Sequence, residues 1–164
     1  MKNIFIIITI AASVINAQIE TRNVSLSASA IMVTPISISV SSSELNFGEI
    51  ILTGASFNQS IDPFSGITFT VNGNVGRNFI PTFSNLVLTN NAWVISNGGT
   101  LGNITFIPNV KLEDGTIVTS GNLYPLQTSG LIGTRNLKLG GIISILASQP
   151  HGDYTGVFTM TVSY

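Results

Sequence analysis

Apolar and polar residues alternate with a period of two along most of this chain, which is the spacing of a half-buried β-strand. The candidate strands are "NVSLSASA", "IMVTPISISV", "ELNFGEIIL", "ITFTV", "RNFIPTF", "LVLTNNAWVI", "ITFIPNVKL" and "RNLKLGGIISILA", followed by the run from Tyr154 to Tyr164, while "LYPLQ" is short and irregular. Turn signals separate them. Asn72-Gly73 is a hairpin signal, Asp114-Gly115 supplies the positive φ of a tight loop, and "FNQSIDPFSG" is expected to be a loop. Pro35 marks a strand edge, and the pair Gly140-Gly141 predicts a bulge, a kink or a close backbone approach. No window shows helical periodicity. The pattern predicts an all-β sandwich or barrel with about eight to ten short, mostly antiparallel strands, as regular turn spacing implies.

Two runs stand out. The last places Tyr154, Phe158, Met160, Val162 and Tyr164 on one face and threonines and a serine on the other. Fully extended it is about 37 Å long, twice an ordinary strand. It reads as the closing core strand, or as a strand gripped by a partner. Near the other end, Val24, Leu26, Ala28 and Ala30 alternate with serines. That run reads either as a local strand or as a donor strand for a neighbouring subunit.

The first seventeen residues have a different texture. Lys2 precedes an apolar run from Ile4 to Ile15, and Asn16-Ala17 follows. This is the layout of a secretory signal peptide, with a run too short for a membrane span. Residues 1–17 are therefore expected to be removed, leaving 18–164 as one exported β-sandwich domain with no membrane span. Its destination is the periplasm, the cell surface or the medium. The whole chain has 6 basic and 7 acidic residues. Losing Lys2 leaves 5 against 7, a formal −2. Charged residues make up 8% of the chain, so its polarity comes from Ser, Thr and Asn. Such weak charge gives no footprint for nucleic acid. With 0 cysteines, the fold must rest on burial or on a neighbouring subunit rather than on disulfides.

Candidate chemistry is thin. His151 is the single histidine and sits between Pro150 and Gly152 on an expected turn. A Ser–His hydrolase would also need an activated serine and an orienting acid. Zinc would need further ligands. Glu113-Asp114 and Asp62-Pro63 read as turn chemistry rather than as a glycosidase pair. Trp93 lies among aliphatics, so a core position is expected, with sugar stacking as the alternative. The sequence implies no catalytic, cofactor-binding or metal-binding residue, and no enzymatic activity.

Three stretches together resemble a known family: "IMVTPISISV", "ELNFGEI" and "RNLKLGGIISILASQPHGDYTGVFTMTVSY". Their shape is similar to the bacterial secreted domain-of-unknown-function family 4402, which in turn is similar to spore-coat-U-like and pilin-like domains. The resemblance implies export and an immunoglobulin-like sandwich, and it carries over no activity. Pilin-like domains join by strand addition. The leading expectation is thus a non-enzymatic structural or surface subunit whose partners are itself or related surface subunits. One alternative is a small outer-membrane β-barrel, favoured by the aromatic-ended last run and opposed by Pro35, Pro81, Pro108 and Pro125 within candidate strands. The other is a carbohydrate-binding or adhesive module using Trp93 or exposed tyrosines.

Overall fold

The computed structural model describes residues 33–164. The expected leader and the run Val24, Leu26, Ala28 and Ala30 lie outside the described residues.

Ten strands form two antiparallel sheets. The larger sheet holds β1 (Ser37–Val40), β2 (Phe57–Ile61), β3 (Ile67–Gly73), β5 (Leu86–Thr89), β6 (Asn103–Leu112), β8 (Gln127–Ser129) and β9 (Ile132–Ile145). The smaller holds β4 (Asn78–Thr82), β7 (Tyr124–Pro125) and β10 (Thr161–Ser163), with β4 in the centre. This is the all-β sandwich that the alternation predicts. Among the described residues the sheets do not close into one ring of strands, because β1 and β5 are the ends of the larger sheet's order.

β9 organises the larger sheet. Its 14 residues pair with β3 and β2 along one edge and with β8 and β6 along the other. The sequence predicts a bulge, a kink or a close approach at Gly140-Gly141; β9 continues through both as one strand, in unbroken register with β6. The glycines serve the alternative, a close backbone approach. β2 and β3 are separated by a single 3-10 turn, Pro63–Ser65, whose Phe64 N–H donates to the Asp62 carboxylate. That turn folds over Gly140, where a Cβ would overlap the Ile61 carbonyl and come within 2.6 Å of the Pro63 nitrogen. A Cβ at Gly141 would strike the Phe106 ring.

The inner face carries Ile67, Val71, Ile104, Phe106, Val110, Leu137, Leu139, Ile143 and Ile145, all buried. Phe79 of β4 and Met160 complete the core from the other side. The outer face is tied mostly by amides and hydroxyls, with one lysine among them. Thr70 donates to Asn136 at 2.8 Å, Thr134 to Asn72 at 3.0 Å and Lys138 to Thr68 at 2.9 Å, each across the β3–β9 ladder. Cross-strand pairs of this kind stabilise a sheet without ion pairing.

Several expectations are corrected. "FNQSIDPFSG" is β2 plus the 3-10 turn rather than a loop. Asn72-Gly73 makes no hairpin, since β3 and β4 belong to different sheets and the chain crosses between them there. "ELNFGEIIL" belongs to no ladder, although Leu45, Phe47, Ile50 and Leu52 pack on the core. "LVLTNNAWVI" splits into β5 and a helix, α1 (Asn91–Asn97), none of whose residues is buried. Trp93 is half-buried there instead of lying in the core. Pro81 and Pro108 sit inside strands. Pro108 lies past the end of the β5 ladder, where β6 has no strand partner on that side to want its missing N–H.

A buried polar knot fixes the corner that launches the last segment. Asn90 is fully buried; its amide donates to the Thr100 and His151 carbonyls at 3.1 and 2.9 Å and accepts from the Gly102 N–H at 2.8 Å. Asn90→Ala removes three hydrogen bonds to the backbone, those with Thr100, His151 and Gly102. At roughly 1 kcal/mol for each, the expected loss is about 2–4 kcal/mol in urea unfolding; a loss below about 0.5 kcal/mol is the contrary result. Gly140→Ala is expected to cost about 1–3 kcal/mol by overpacking, read the same way.

At the opposite end of the sheet, Arg135 is 6% exposed and its guanidinium meets Asp114 at 3.1 Å. The Thr116 hydroxyl, then the Thr116 N–H and the Arg135 charge, hold the Asp114 carboxyl below the usual carboxylate range. A carboxyl depressed in the folded state stabilises it above the unfolded value of about 3.9 and stops doing so as pH falls through the folded value. Asp114→Asn should therefore be less stable than the parent at pH 7. That gap should shrink below about pH 4, as thermal melts at both pH values will show.

Candidate functional site

The two sheets are unequal, and the mismatch creates the site. Seven strands face three, so part of the larger sheet's apolar inner face has no strand above it. Two segments outside any ladder cover the remainder. One is the stretch 42–52 that follows β1; the other leads from Gln149 to Phe158. Between them lies an open groove of about 1020 Å3, floored by Ile67, Ile104, Phe106, Leu139, Ile143 and Ile145.

The second wall is the closing run of the chain, and its structure corrects the expectation of one eleven-residue core strand. The alternation holds: Met160 is buried, Tyr154, Phe158, Val162 and Tyr164 are half-buried, and Thr155, Val157, Thr159 and Thr161 are exposed. The ladder does not. Thr155 bridges Thr89 beside β5, with bonds of 3.0 and 3.1 Å, and β10 pairs with β4 through Thr161, Val162 and Ser163. From Gly156 to Met160 no ladder forms among the described residues. The cause is geometric. The segment leaves the edge of one sheet and joins the other, so its neighbour changes partway along.

Phe158 holds the segment down across that gap. Its ring lies 6.4 Å from Phe69, 6.3 Å from Phe83 and 6.0 Å from Phe106, edge-on to the last. Phe47, from the facing wall, meets Phe106 at 5.9 Å, also edge-on. Such aromatic pairs add about 0.5–1.5 kcal/mol each beyond area burial. The backbone of 156–160 is therefore anchored by side chains, with no ladder to another strand among the described residues. Val157, 85% exposed, points away from the core on this same stretch.

The two tyrosines of the run pack against the core and also act as ties through their hydroxyls. The Tyr154 hydroxyl accepts from the Gln149 amide at 2.7 Å and donates to the Pro150 carbonyl at 2.8 Å, which closes the corner above Asn90. The Tyr164 hydroxyl accepts from the Asn74 N–H and donates to the Thr34 carbonyl, both at 2.7 Å, with Arg77 stacked 4.5 Å from its ring. Alternation alone could not show the ties, which rest on the fixed positions of the hydroxyl partners.

His151 is exposed and offers its backbone carbonyl, not its ring, to the fold. Among the described residues, no three His, Cys, Asp or Glu residues gather as a metal site would require. Trp93 is packed by Gly152, where a Cβ would approach its ring to 3.0 Å. Among the described residues no helix is long and apolar enough to cross a membrane. The sequence analysis missed the walls formed by 42–52; the absence of Lys and Arg from "SSSELNFGEIIL" hinted that it lies along an apolar surface.

No curated protein and no solved structure matches the chain. One family model, described as "Domain of unknown function (DUF4402)", matches residues 36–164, from just before β1 through the closing residue. The match takes in both sheets, both groove walls and the Tyr164 tie, and on that extent the chain belongs to the DUF4402 family.

Proposed function

We propose that this protein is an exported, non-catalytic structural domain of the cell surface or periplasm, which joins a protein partner by accepting a β-strand beside Gly156–Met160. The observation that carries the reading is the stretch 156–160 itself: extended, alternating, anchored through Phe158, and without a ladder. Backbone groups that have no ladder partner among the described residues, beside an apolar groove, call for hydrogen-bond donors and acceptors as well as apolar contact. A peptide strand offers both at the needed repeat, whereas an acyl chain offers only the second. An exposed edge next to Val157 is also a liability that natural sheets cover. The signal-like leader supports export. The amide and hydroxyl surface of the larger sheet supports a structural role, since it gives the domain a solvated face without strong charge.

The test is amide exchange together with particle size. In dilute monomer, the amides of Gly156–Met160 should exchange within seconds, while those of β9 stay protected. Raising the concentration to the point of association should protect 156–160 as well. Slow exchange of these amides in a strictly monomeric sample would falsify the proposal, because the edge would then be closed within the domain. A second arm uses Thr159→Pro, which removes one N–H from an unladdered residue and should abolish association. The urea midpoint of the monomer should move little.

A further inference from the structure

On the outer face of the larger sheet, Lys111 of β6 and Lys138 of β9 stand directly opposite each other across the ladder. Both point outward, because their chain neighbours Val110, Leu112, Leu137 and Leu139 are buried on the inner face. Like charges so placed repel and cost the sheet stability. Among the described residues no carboxylate lies within 4.0 Å of either ammonium. The two heads part instead. Lys138 donates to Thr68 at 2.9 Å on the β3 side, and Lys111 lies 6.0 Å from the centre of the Phe64 ring. The other cations of the described residues are matched within the fold, Arg77 by the Tyr164 ring and Arg135 by Asp114.

We propose that this lysine pair, with the Phe64 ring beside it, binds an acidic polysaccharide, a chain of sugars that carry carboxylates. Three properties select that class. The pair concentrates positive charge at one point, where an anion relieves the repulsion between both heads. Phe64 supplies an apolar plane. Its ring is 51% exposed, and the turn that bears it is fixed over Gly140, the next outward position of β9 after Lys138. The C–H face of a sugar ring packs on such a plane, and an inorganic anion has no such face. Neutral hydrogen-bonding groups flank both features. Thr68 lies opposite Lys138, Asn109 precedes Lys111 on β6, and Asn136 precedes Lys138 on β9, all half-buried. Glu113 bounds the site on one side, its carboxylate accepting from Asn136 at 2.6 Å. The residues that the sequence offers for sugar stacking are engaged elsewhere. Trp93 lies against Gly152, and the hydroxyls of Tyr124, Tyr154 and Tyr164 are all bonded within the fold. Nucleic acid calls for a longer track of cations than two lysines. The site lies on the opposite face of the sheet from the groove floor, so a partner strand and a polysaccharide would occupy separate surfaces.

The test is calorimetry at low salt on protein expressed from the full 164-residue sequence, with a galacturonate hexamer as probe. The parent should bind the hexamer with an affinity that falls as salt is added, and a carboxyl-reduced, neutral hexamer should bind about tenfold more weakly or worse. Lys111→Gln and Lys138→Gln should each weaken the charged hexamer about threefold or more, the weight of one exposed ion pair. Their urea midpoints should equal or exceed the parent's, because losing one charge relieves the other. Phe64→Ala should weaken the hexamer about threefold or more by removing the apolar contact. No binding of the charged hexamer overturns the inference, and so does equal binding of the charged and neutral forms. A hexamer affinity unchanged in both lysine variants overturns it as well. A large fall in both urea midpoints would assign the lysines to the fold and has the same consequence. If Phe64→Ala binds as tightly as the parent, or a thymidylate hexamer binds as tightly as galacturonate, the site reads charge without reading sugar and the assignment is wrong.

Discussion

The structure depends on covering one large apolar surface with too few strands. β9 recruits β3, β2, β6 and β8 along its two edges, and β1 and β5 extend the sheet beyond them. The inner face so formed must be shielded from water, at about 25 cal/mol for each Å2 removed. Three short strands opposite it do not suffice. The remainder falls to two extended segments that press side chains onto the core without joining a ladder. Side-chain burial and backbone pairing, which coincide in an ordinary strand, come apart in 42–52 and 156–160. The groove lies between the two segments where they come apart.

This separation explains which features the sequence could disclose. Period-two alternation reports which side chains face inward, and it did so correctly from Tyr154 to Tyr164. It breaks at Gly48-Glu49, so the inward set Leu45, Phe47, Ile50 and Leu52 could not be read from it. It cannot report which backbone lies alongside. Ladder partners are set by residues distant in sequence, such as Thr82 for Thr161 or Gly141 for Pro108. Hence a closing run that reads as one strand is a bridge followed by three paired residues. Asn72-Gly73 misled for a related reason: the dipeptide favours a sharp turn, but a turn can change sheets as readily as it can form a hairpin. The helix α1 gave no periodic signal because none of its seven residues is buried. Gly140-Gly141 was legible in kind, as a close approach, though not in what approaches.

The composition also finds its reason in the sheet. A chain in which charged residues are 8% must solvate its surface by other means. The β3–β9 face does so with Thr and Asn side chains that bond one another across the strands. Neutral pairs of this kind are little affected by salt, in contrast to surface ion pairs, which ionic strength screens. Arg135 is the exception among the cations. It is buried on the inner face, and the turn carboxylate of Asp114 compensates it.

The Tyr164 tie also shapes how the domain folds. Its hydroxyl closes a loop from Thr34, 130 residues away in sequence. Contacts of such separation are reached only after shorter loops have already shrunk the entropy of closure. The local pairs β5–β6 and β8–β9 can form early, while β10 and the latch must wait for β4 and β3 to be in place. The order of events thus leaves the groove side of the sandwich as the last surface to be finished.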